Sequence, residues 1–459
     1  MKTQANPHSA EPSAACNFAK AYIYLENGVF FAAKAFGAGG TYDGELIFNT
    51  SLTGYQEIIS DPSYAGQFVI FSMPEIGIVG TNAADDESEQ VFASGVIVRH
   101  YSAAFSNFRA QKSLDDYLKE KGKIGVAGVD TRALVRLVRD HGNLRAIIST
   151  EIVDKNELRA RLEKCARIDE VNFVAKVSTK KPYKHTQGAW DKASFAYKNG
   201  ENSAPKSKIA EKIKANLTNL GKNSKNSAQN SRANPKNSAN SNEIHANSAP
   251  SVENSAKNSQ NPQISAPSPQ NSRKKVAVLD YGVKRNILNE LVEVGLEVEV
   301  FPHDTKAAAL ISLFERGEIN GVFLSNGPGE PKILKNEITQ IKELIAAKVP
   351  MLGICLGHQL LSNAFGYETY KMKFGQHGAN HPVLNQQSKA VEITAQNHNY
   401  NVPESICEVA TITHRNLFGD NVEGVVYKDF PIISVQHHPE SSSGPHESKY
   451  IFREFAAML

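Results

Sequence analysis

The sequence predicts two folded domains: a carboxyl-terminal α/β domain built on a parallel sheet, preceded by an α+β amino-terminal domain. Three observations support this prediction. Strands and helices alternate after residue 273, the first half is rich in β-forming runs broken by glycine and proline, and the composition changes abruptly near residue 200. A chain of 459 residues is long enough for two or three domains that each bury a core.

The charge and the cysteine content exclude several classes of protein. A formal net charge of +3 gives no electrostatic footprint for nucleic acid. Four cysteines without a C-x-x-C pair argue against a disulfide framework or a zinc ribbon, so we expect no metal site. The first residues lack the apolar core of a signal peptide, and no run of about 18 apolar residues follows. We therefore expect a cytoplasmic protein that binds neither membrane nor nucleic acid.

The amino-terminal domain is expected over residues 21–195. The run AYIYLENGVFFAAKAFG predicts a hairpin, and GELIFNTSLTGYQEIISDPSYAGQFVIFSMPEIG predicts short strands between glycine and proline turns. In DTRALVRLVRDHG, Asp130 or Thr131 can cap a helix and Gly142 can end it. This half is therefore expected to be α+β.

Two segments lack the composition of a folded domain. In residues 196–273 the pair Asn-Ser recurs about ten times, and the stretch from Glu201 to Ser272 contains no aromatic residue. Such a segment cannot bury enough apolar surface to offset its ordering entropy, so we predict a disordered linker. The tail, residues 1–20, is expected to be disordered as well.

The carboxyl-terminal domain is expected over residues 274–459. In it, KKVAVLDYG, LEVEVFP, GVFL and PMLGIC predict strands, while VKRNILNELVEVG, EITQIKELIAAKV and LGHQLLSNAFG predict helices. Strands that alternate with helices of this length form a parallel sheet covered on both faces. Functional sites in such sheets lie beyond the carboxyl ends of the strands, which is where Cys355 falls.

The stretch GICLG places Cys355 at the end of a strand, between Gly353 and Gly357. It has the form of the G-x-S-x-G nucleophile elbow with cysteine in place of serine, because glycines relieve the crowding where a strand turns at once into a helix. The positive end of the helix that starts at Leu356 would favour a thiolate. A buried cysteine that only fills the core is the alternative.

A base for this nucleophile is available in SVQHHPESSSGPH, which follows the apolar run FPIISV. Pro439 disfavours helical backbone before it, so we expect His438 and Glu440 in an extended segment, where residues two apart project to the same side. A cysteine nucleophile needs an imidazole that moves a proton and a carboxylate that orients the imidazole. A metal site formed with His437 is the alternative, but no second ligand cluster at metal spacing accompanies it.

The loop SNGPGEP follows the strand GVFL at the same edge of the sheet. Gly327 and Gly329 allow backbone N–H groups to approach a ligand closely, as an oxyanion hole requires, although Asn-Gly-Pro-Gly is also an ordinary turn sequence. The chain contains no G-x-x-x-x-G-K-[ST] motif, so we expect no nucleotide phosphate site on it.

Taken together, SNGPGEP, GICLGHQLL and HHPESSSGPH resemble the class I (triad) glutamine amidotransferase domain, over roughly residues 274–459. The first half narrows the resemblance. Its stretches GELIFNTSLTGYQEIISDPSYAGQ, EIGIVGTNAADDES and GVAGVDTRALVRLVRDHG are similar to the small, glutamine-hydrolysing subunits of carbamoyl phosphate synthetases. Other triad amidotransferases lack such a domain ahead of the glutaminase.

The resemblance implies roles for individual residues. Cys355 would attack the carboxamide of L-glutamine, His438 would act as general acid and base, and Glu440 would orient it; a γ-glutamyl thioester would form and then be hydrolysed. Backbone N–H groups of Gly329 and Leu356 would form the oxyanion hole. One of the glutamine-holding residues comes from the amino-terminal domain, which would place the pocket at the domain interface. The glutamine-holding positions match Ser51, Gly327, Gly329, Leu356, Gln359, Asn397, Asn399 and Tyr400.

Two departures from the family pattern stand out. The chain reads Asn-His-Asn-Tyr over residues 397–400 where the family usually has Asn-His-Gly-Phe. Asparagine tolerates positive φ, so we expect Asn399 to preserve the backbone contact. The linker is longer than the family's short connection, but loop-closure entropy grows only slowly with length. Deletion of residues 205–270 is therefore expected to leave thermal stability and glutaminase activity near those of the wild type.

The resemblance implies a glutaminase subunit that passes ammonia to a separate carbamoyl phosphate synthetase large subunit. The family uses ATP, Mg and bicarbonate on that partner to make carbamoyl phosphate for arginine and pyrimidine synthesis, so no cofactor is expected on this chain. One alternative is a glutaminase that serves another synthetase, against which the amino-terminal domain argues. The other is a non-catalytic scaffold, against which the intact Cys355, His438 and Glu440 argue.

Overall fold

The computed structural model describes most of both predicted domains. The predicted tail at residues 1–20 and the predicted linker at residues 196–273 lie almost wholly outside the described residues. Contacts divide the chain into two compact units, Met1–Ala189 with Arg273–Leu459, and Trp190–Ser272. The described residues are 18–191, 194, 196–198 and 273–459.

The amino-terminal half of the first unit consists of short strands and short helices. Its elements, in chain order, are β1 (Ala19–Leu25), β2 (Phe30–Gly37), β3 (Thr41–Asn49), α1 (Tyr55–Ser60), β4 (Gln67–Phe71), β5 (Glu75–Ile76), β6 (Gly95–Ile97), β7 (His100–Tyr101), α2 (Leu114–Glu120), β8 (Ile124–Ala127), α3 (Thr131–His141), β9 (Arg145–Ser149), α4 (Lys155–Lys164), α5 (Val174–Val177) and β10 (Tyr183–His185). Single 3-10 turns lie at Pro62–Tyr64 and Ile168–Glu170.

Strands of this half close into a β-barrel. Within residues 18–191 the barrel order is β1-β2-β8-β6-β4-β3-β9, and β9 closes it by pairing with both β1 and β3. The predicted hairpin is confirmed, since β1 and β2 pair antiparallel. The predicted helix α3 is confirmed as well: the Asp130 carboxylate accepts a hydrogen bond from the Ala133 amide at its start, and Gly142 ends it with φ 90°.

The second unit is described only in part. Its described residues include a small ribbon, in which β11 (Trp190–Asp191) pairs antiparallel with β12 (Ala196–Tyr197). The ring planes of Trp190 and Tyr197 meet edge to face, with centroids 5.0 Å apart.

The carboxyl-terminal half of the first unit alternates strands and helices before it ends in a run of strands. Its elements are β13 (Lys275–Asp280), α6 (Arg285–Glu293), β14 (Glu297–Pro302), α7 (Ala307–Glu315), β15 (Gly321–Leu324), α8 (Lys335–Ala346), β16 (Met351–Ile354), α9 (Leu356–Ala364), β17 (Tyr370–Asn385), β18 (Val391–Asn401), β19 (Ala410–Asn416), β20 (Val422–Tyr427), β21 (Ile432–Val435) and α10 (Tyr450–Met458). Further 3-10 turns lie at Pro331–Ile333, Glu404–Glu408 and Glu447–Lys449.

These strands form one sheet, which has ten strands in the part of the chain that the structure describes, in the order β10-β14-β13-β15-β16-β21-β20-β19-β17-β18. The predicted parallel sheet is confirmed from β14 through β21. The sheet continues beyond the prediction, because β20, β19, β17 and β18 add antiparallel strands at one side. At the other edge β10 pairs antiparallel with β14. A strand that falls within the predicted amino-terminal domain, residues 21–195, therefore contributes to this sheet.

Both faces of the parallel strands are covered, as buried parallel strands require. On one face α6 and α10 pack against the sheet through residues such as Ile287, Leu291 and Phe452. On the other face α7, α8 and α9 contribute Leu310, Ile341 and further buried side chains. The mixed α/β class is therefore as predicted. No helix within the described ranges is long and apolar enough to cross a membrane.

Candidate active site

Cys355 lies at the tip of β16, between that strand and α9, with φ 53° and ψ −103°. This backbone conformation costs a non-glycine residue about 1–3 kcal/mol and occurs mainly at functional sites. At the two flanking positions only glycine fits, because a side chain would collide with the backbone. A Cβ on Gly353 would lie 2.8 Å from the backbone of Gly357, and one on Gly357 would lie 2.2 Å from the Leu324 carbonyl oxygen. The predicted strand–turn–helix elbow is confirmed.

His438 and Glu440 form a buried pair beside Cys355. His438 Nδ1 lies 2.7 Å from Glu440 Oε1, and both side chains are almost fully buried. Burial would lower the pKa of His438, but the Glu440 carboxylate and then the Cys355 sulfur outweigh it and raise that pKa above its usual range. The other ring nitrogen, Nε2, has no hydrogen-bond partner with good geometry within the described residues, so it is free to exchange a proton with the neighbouring thiol.

The backbone that carries this pair differs from the prediction. His438 bridges to Ala395 through a 2.9 Å hydrogen bond from its amide, but the chain then turns, and the Ser441 amide donates to the His438 carbonyl at 3.1 Å. The expectation of an extended segment was therefore wrong. Proline fixes its φ near the value that the second position of a β-turn requires, and Pro439 occupies that position. This turn, rather than the alternation of side chains along a strand, brings the Glu440 carboxylate next to the His438 ring.

A buried lysine supports Glu440. Lys284 Nζ lies 2.9 Å from Glu440 Oε1 and also donates to the Ser441 carbonyl at 2.5 Å. Burial opposes the charge of Lys284, but the carboxylates of Glu440, Glu87 and Asp61 outweigh it and raise the pKa of the ammonium. Burial would raise the pKa of Glu440, yet Lys284 and then His438 hold it well below its usual range. Glu440 is therefore ionised and fixed between two cationic partners.

A small cavity of about 30 Å³ lies in front of Cys355, at the interface of the two domains. A cavity of this volume holds only about two water-sized groups, so it is narrower than an amino acid requires. The amino-terminal domain contributes Ser63, Gln67 and Ile168 to its wall. The carboxyl-terminal domain contributes Gly327, Gly329, Cys355, Gln359, His377, Asn397, His398, Asn399 and Tyr400.

Most of the predicted glutamine-holding residues meet at this cavity, and two do not line it. Gly327, Gly329, Gln359, Asn397, Asn399 and Tyr400 line it together with Cys355. Leu356 is the first residue of α9, and within the described residues neither its amide nor that of Gly329 is hydrogen-bonded to a backbone acceptor. Ser51 lines a second cavity of about 20 Å³, which it shares with His438, Lys284 and Asn397.

Asn399 does not adopt the positive φ that asparagine tolerates. Asn399 lies in the extended backbone of β18, not among the residues with positive φ. Its side-chain oxygen lies 3.1 Å from His377 Nε2 and 2.9 Å from Asn143 Nδ2, which belongs to the amino-terminal domain. The larger side chain is thus accommodated by polar contacts across the domain interface, and the irregularity in pairing falls on the partner strand β17.

Several residues of the site were not found from the sequence. Lys284 follows β13 in the chain, but no local pattern indicates that it reaches Glu440. Ser63 and Gln67 approach Cys355 only because the barrel packs against the sheet, and Gln67 Oε1 is buried without a hydrogen-bond partner within the described residues. His377 contacts Asn397 Oδ1 through its other ring nitrogen at 3.1 Å.

The metal alternative does not match this arrangement. His437 Nδ1 faces Glu423 Oε2 at 3.6 Å, whereas His438 is bonded to Glu440. The three side chains therefore do not converge on one point. Within the residues that the structure describes, no group of three or more histidine, cysteine, aspartate or glutamate side chains is arranged to hold a metal ion.

A cysteine at a strained elbow, with a histidine and a carboxylate at the end of the next parallel strand, places the carboxyl-terminal domain among the class I glutamine amidotransferases. The family model Glutamine amidotransferase class-I matches residues 277–458. The model Carbamoyl-phosphate synthase small chain, CPSase domain, matches residues 23–148. The chain belongs to the carbamoyl-phosphate synthase small chain family, as its motifs predicted, and is thus of the glutamine-hydrolysing kind.

Three carbamoyl phosphate synthase small chains align with nearly the whole length of this chain. The carbamoyl phosphate synthase small chain of Campylobacter jejuni is 62% identical and aligns over 96% of this chain and 100% of its own length. That of Helicobacter hepaticus is 49% identical over 96% of this chain and 98% of the relative. The carbamoyl phosphate synthase small chain of Aquifex aeolicus is 38% identical over 95% of this chain and 98% of the relative. The likeness therefore extends over both domains.

Proposed function

We propose that this chain hydrolyses L-glutamine at Cys355 and delivers the ammonia to a carbamoyl phosphate synthase large subunit. The observation that carries the proposal is the geometry of three residues: a strained Cys355 beside an imidazole that is bonded to the ionised Glu440 at 2.7 Å. These are the parts of a cysteine nucleophile with a positioned acid and base. The family of the chain supports glutamine as the substrate.

The first half of the reaction forms a thioester. The Cys355 thiolate attacks the carboxamide carbon of glutamine, and the electron pair of the C=O bond moves to oxygen. The amides of Gly329 and Leu356 are available to bind this oxyanion, because neither donates to a backbone acceptor within the described residues. His438 then gives its proton to the nitrogen, the C–N bond breaks, and ammonia leaves a γ-glutamyl thioester.

The second half regenerates the enzyme. Water adds to the thioester carbon while His438 accepts its proton, and collapse of this intermediate expels the Cys355 thiolate and releases glutamate. The raised pKa of His438 supports an imidazolium in the resting site, so the ring begins as the acid that the leaving nitrogen needs. Glu440 keeps the ring in one orientation throughout, because its own position is fixed by Lys284.

The glutamine pocket is proposed to hold the substrate through residues of both domains. Gln359, Asn397 and Tyr400 line the cavity with Cys355, as does Gln67. The unpartnered Gln67 Oε1 is an acceptor suited to the α-ammonium group of an amino acid. Because the cavity of about 30 Å³ is too small for glutamine, we infer that binding opens the domain interface. Ser51, in the neighbouring cavity, would reach glutamine only after such a movement.

The narrow, largely buried site also supports transfer of ammonia to a partner. Ammonia released into a buried site is kept from water, which would otherwise protonate it. We propose that the large subunit combines it with bicarbonate at the expense of ATP, with Mg bound there and no cofactor on this chain. The product, carbamoyl phosphate, would serve arginine and pyrimidine synthesis. The names of the relatives support this assignment of the partner.

Labelling with a chloroketone analogue of glutamine tests the nucleophile. We expect one equivalent of label on Cys355, with protection by glutamine and no label on a Cys355→Ser variant. Cys407 is exposed and Cys165 partly so, and a Cys407→Ser variant serves as the matched control that labels like the wild type. A label distributed over Cys407 and Cys165 at the rate seen for Cys355 would contradict the proposal.

A further inference from the structure

A second carboxylate is buried behind the wall of the glutamine pocket. Glu423, on β20, is 0% exposed. Its oxygens accept hydrogen bonds from Gln396 Nε2 and Asn416 Nδ2, each at 3.0 Å. Within the described residues its ion pairs are with two histidines, His398 at 3.9 Å and His437 at 3.6 Å. A fully buried carboxylate is costly without a positive partner, so one of these rings is expected to carry a charge.

The hydrogen bonds of His398 identify the charged ring. His398 Nδ1 lies 2.9 Å from the Tyr400 carbonyl oxygen, and Nε2 lies 3.0 Å from Gln396 Oε1. Carbonyl oxygens only accept hydrogen bonds, whereas a neutral imidazole has a single N–H. A neutral His398 would therefore turn a lone pair towards one of the two oxygens. A doubly protonated ring satisfies both.

The orientation of the Gln396 amide is fixed by its other partners. Its Nε2 donates to Glu423 Oε2 at 3.0 Å and to Thr394 Oγ1 at 3.1 Å. The Thr394 hydroxyl already donates to the His381 carbonyl oxygen at 3.0 Å, so it can only accept from Gln396. Reversing the amide would place its oxygen against an ionised carboxylate. The oxygen of Gln396 must therefore face His398.

Burial works against a charge on this ring. Burial lowers the pKa of His398 below its usual range, outweighing the Glu423 carboxylate and the hydrogen bond to the Tyr400 carbonyl, which act in the other direction. The charge on the ring is therefore inferred from the two oxygens that face its nitrogens. Burial would raise the pKa of Glu423, but the neighbouring histidines and Gln396 hold it well below its usual range. A neutral His398 would leave an unmatched lone pair facing one of its two oxygens, and only His437, at 3.6 Å, could then supply a countercharge for Glu423. The titratable groups that face His398 are Glu423, His437, His438, His358, His377 and His381.

We propose that Glu423 holds His398 as an imidazolium, and that this buried ion pair is a positioning device for the glutamine site. His398 fixes the Tyr400 carbonyl, which also accepts a 2.8 Å hydrogen bond from Gln359 Nε2. On the other side, the Glu423 carbonyl accepts from the Gln436 amide at 2.8 Å, two residues before His438. The pair thus connects the strand that lines the pocket to the segment that carries the base. This inference rests on the proposed function of the site.

Nitrogen-15 NMR of the histidine rings in the full chain tests the protonation state directly. At neutral pH we expect the His398 signals of a ring with both nitrogens protonated, assigned by their loss in a His398→Gln variant. In Glu423→Gln, which keeps the shape of the side chain, we expect a ring with one N–H. A single N–H on His398 in the wild type, or a doubly protonated His437 in its place, would overturn the proposal even if Glu423→Gln failed to fold.

Glutaminase kinetics of the chain with its large subunit test the positioning role. In Glu423→Gln we expect KM for glutamine to rise about 10-fold, as loss of one charge-assisted hydrogen bond implies, with kcat within about two-fold of the wild type. KM of the variant should also rise with pH where that of the wild type stays flat, because only the variant has lost the countercharge that holds the proton. A merely structural role would not create this pH dependence.

A matched control is available in the same sheet. Glu392 is 7% exposed and lies 3.9 Å from His414 Nε2, but it does not line either cavity of the site. Glu392→Gln should leave KM unchanged. If the wild type hydrolyses glutamine and Glu423→Gln matches its KM at every pH, the inference fails and the proposed function stands. If the wild type with its partner does not hydrolyse glutamine, the proposed function fails, and the positioning role fails with it.

Discussion

Removal of the Lys284 ammonium should destabilise the protein more than loss of an ordinary ion pair. Lys284 Nζ lies 2.9 Å from Glu440 Oε1, and the two side chains are 4% and 0% exposed. With an effective dielectric constant of about 20, charges at this distance attract by about 6 kcal/mol before desolvation is subtracted. Removing one partner of a buried pair costs about 3–5 kcal/mol, because the other charge remains buried with less compensation. Glu440 would keep His438 as a cationic partner, so we expect the lower end of that range. Lys284→Met should therefore lose that much stability.

A double variant separates the stranded charge from lost packing. Lys284→Met with Glu440→Gln removes both charges, so most of the stability should return. A remaining deficit of about 1 kcal/mol is expected, because the Ser441 carbonyl has also lost its donor. Neither variant should hydrolyse glutamine at the wild-type rate. In Lys284→Met the Glu440 carboxylate beside His438 is no longer held in place, and in the double variant that carboxylate is replaced by a neutral amide. Stability and activity should thus respond differently to the second substitution.

Urea unfolding measures these differences as free energies, and a second lysine provides the control. Lys449 Nζ lies 2.5 Å from Glu290 Oε1, but its side chain is 27% exposed. Lys449→Met should cost less than Lys284→Met, because the ammonium of Lys449 is nearer solvent and burial raises the pKa of Glu290, so that this carboxyl can take up a proton when the lysine is removed. Two results would contradict the reasoning: a Lys284→Met variant as stable as Lys449→Met, or a double variant less stable than Lys284→Met alone. Either would show that the Lys284 charge does not stabilise the fold by the amount that its burial implies.

Three further predictions concern other parts of the molecule. Burial raises the pKa of Glu87 to about 7 from 4.5, so the folded chain binds this proton more tightly than the unfolded chain; stability therefore falls as pH rises through that interval. At a pH above the pKa that Glu87 has in the folded chain, Glu87→Gln should raise the free energy of unfolding by up to about 3 kcal/mol. At a pH below 4.5 it should leave that free energy unchanged, and urea unfolding at one pH in each range measures both values. Gly357→Ala would place a Cβ 2.2 Å from the Leu324 carbonyl oxygen, so glutamine hydrolysis should fall at least about 100-fold. Gly317→Ala, at φ 70° but with nothing within 4 Å, should cost about 1–2 kcal/mol of stability and leave hydrolysis unchanged. Deleting residues 205–270, which lie outside the described residues, should leave the melting temperature and glutaminase activity near wild type; a loss of either would give the linker a role.

The features found from the sequence are those that neighbouring residues determine. The elbow at Cys355 follows from two glycines that flank it, and the meeting of His438 with Glu440 follows from Pro439 between them. Even here the local geometry differed, since Pro439 forms a turn where an extended segment was expected. The helices and parallel strands of the carboxyl-terminal half follow from periodicity over ten or so residues.

The features that were missed depend on distant parts of the chain. Closure of the amino-terminal barrel requires β9 to pair with β1 and β3, which no hairpin pattern indicates. Lys284 reaches Glu440, more than 150 residues away in the chain, only through the fold of the sheet. Asn399 lies in extended backbone and contacts His377 and Asn143, neither of which is near it in the chain. Such contacts are set by tertiary packing rather than by local propensity.

The most direct test of Cys355 as the glutamine-hydrolysing nucleophile is glutamate release from glutamine by the chain with its cognate large subunit, ATP and bicarbonate, in the wild type and in Cys355→Ser. We expect the partner to stimulate hydrolysis by the wild type. We also expect Cys355→Ser to abolish hydrolysis, while ammonia-dependent synthesis of carbamoyl phosphate by the same complex persists. If the wild type and Cys355→Ser are equally inert with the partner bound, Cys355 is not a nucleophile and the chain acts as a scaffold.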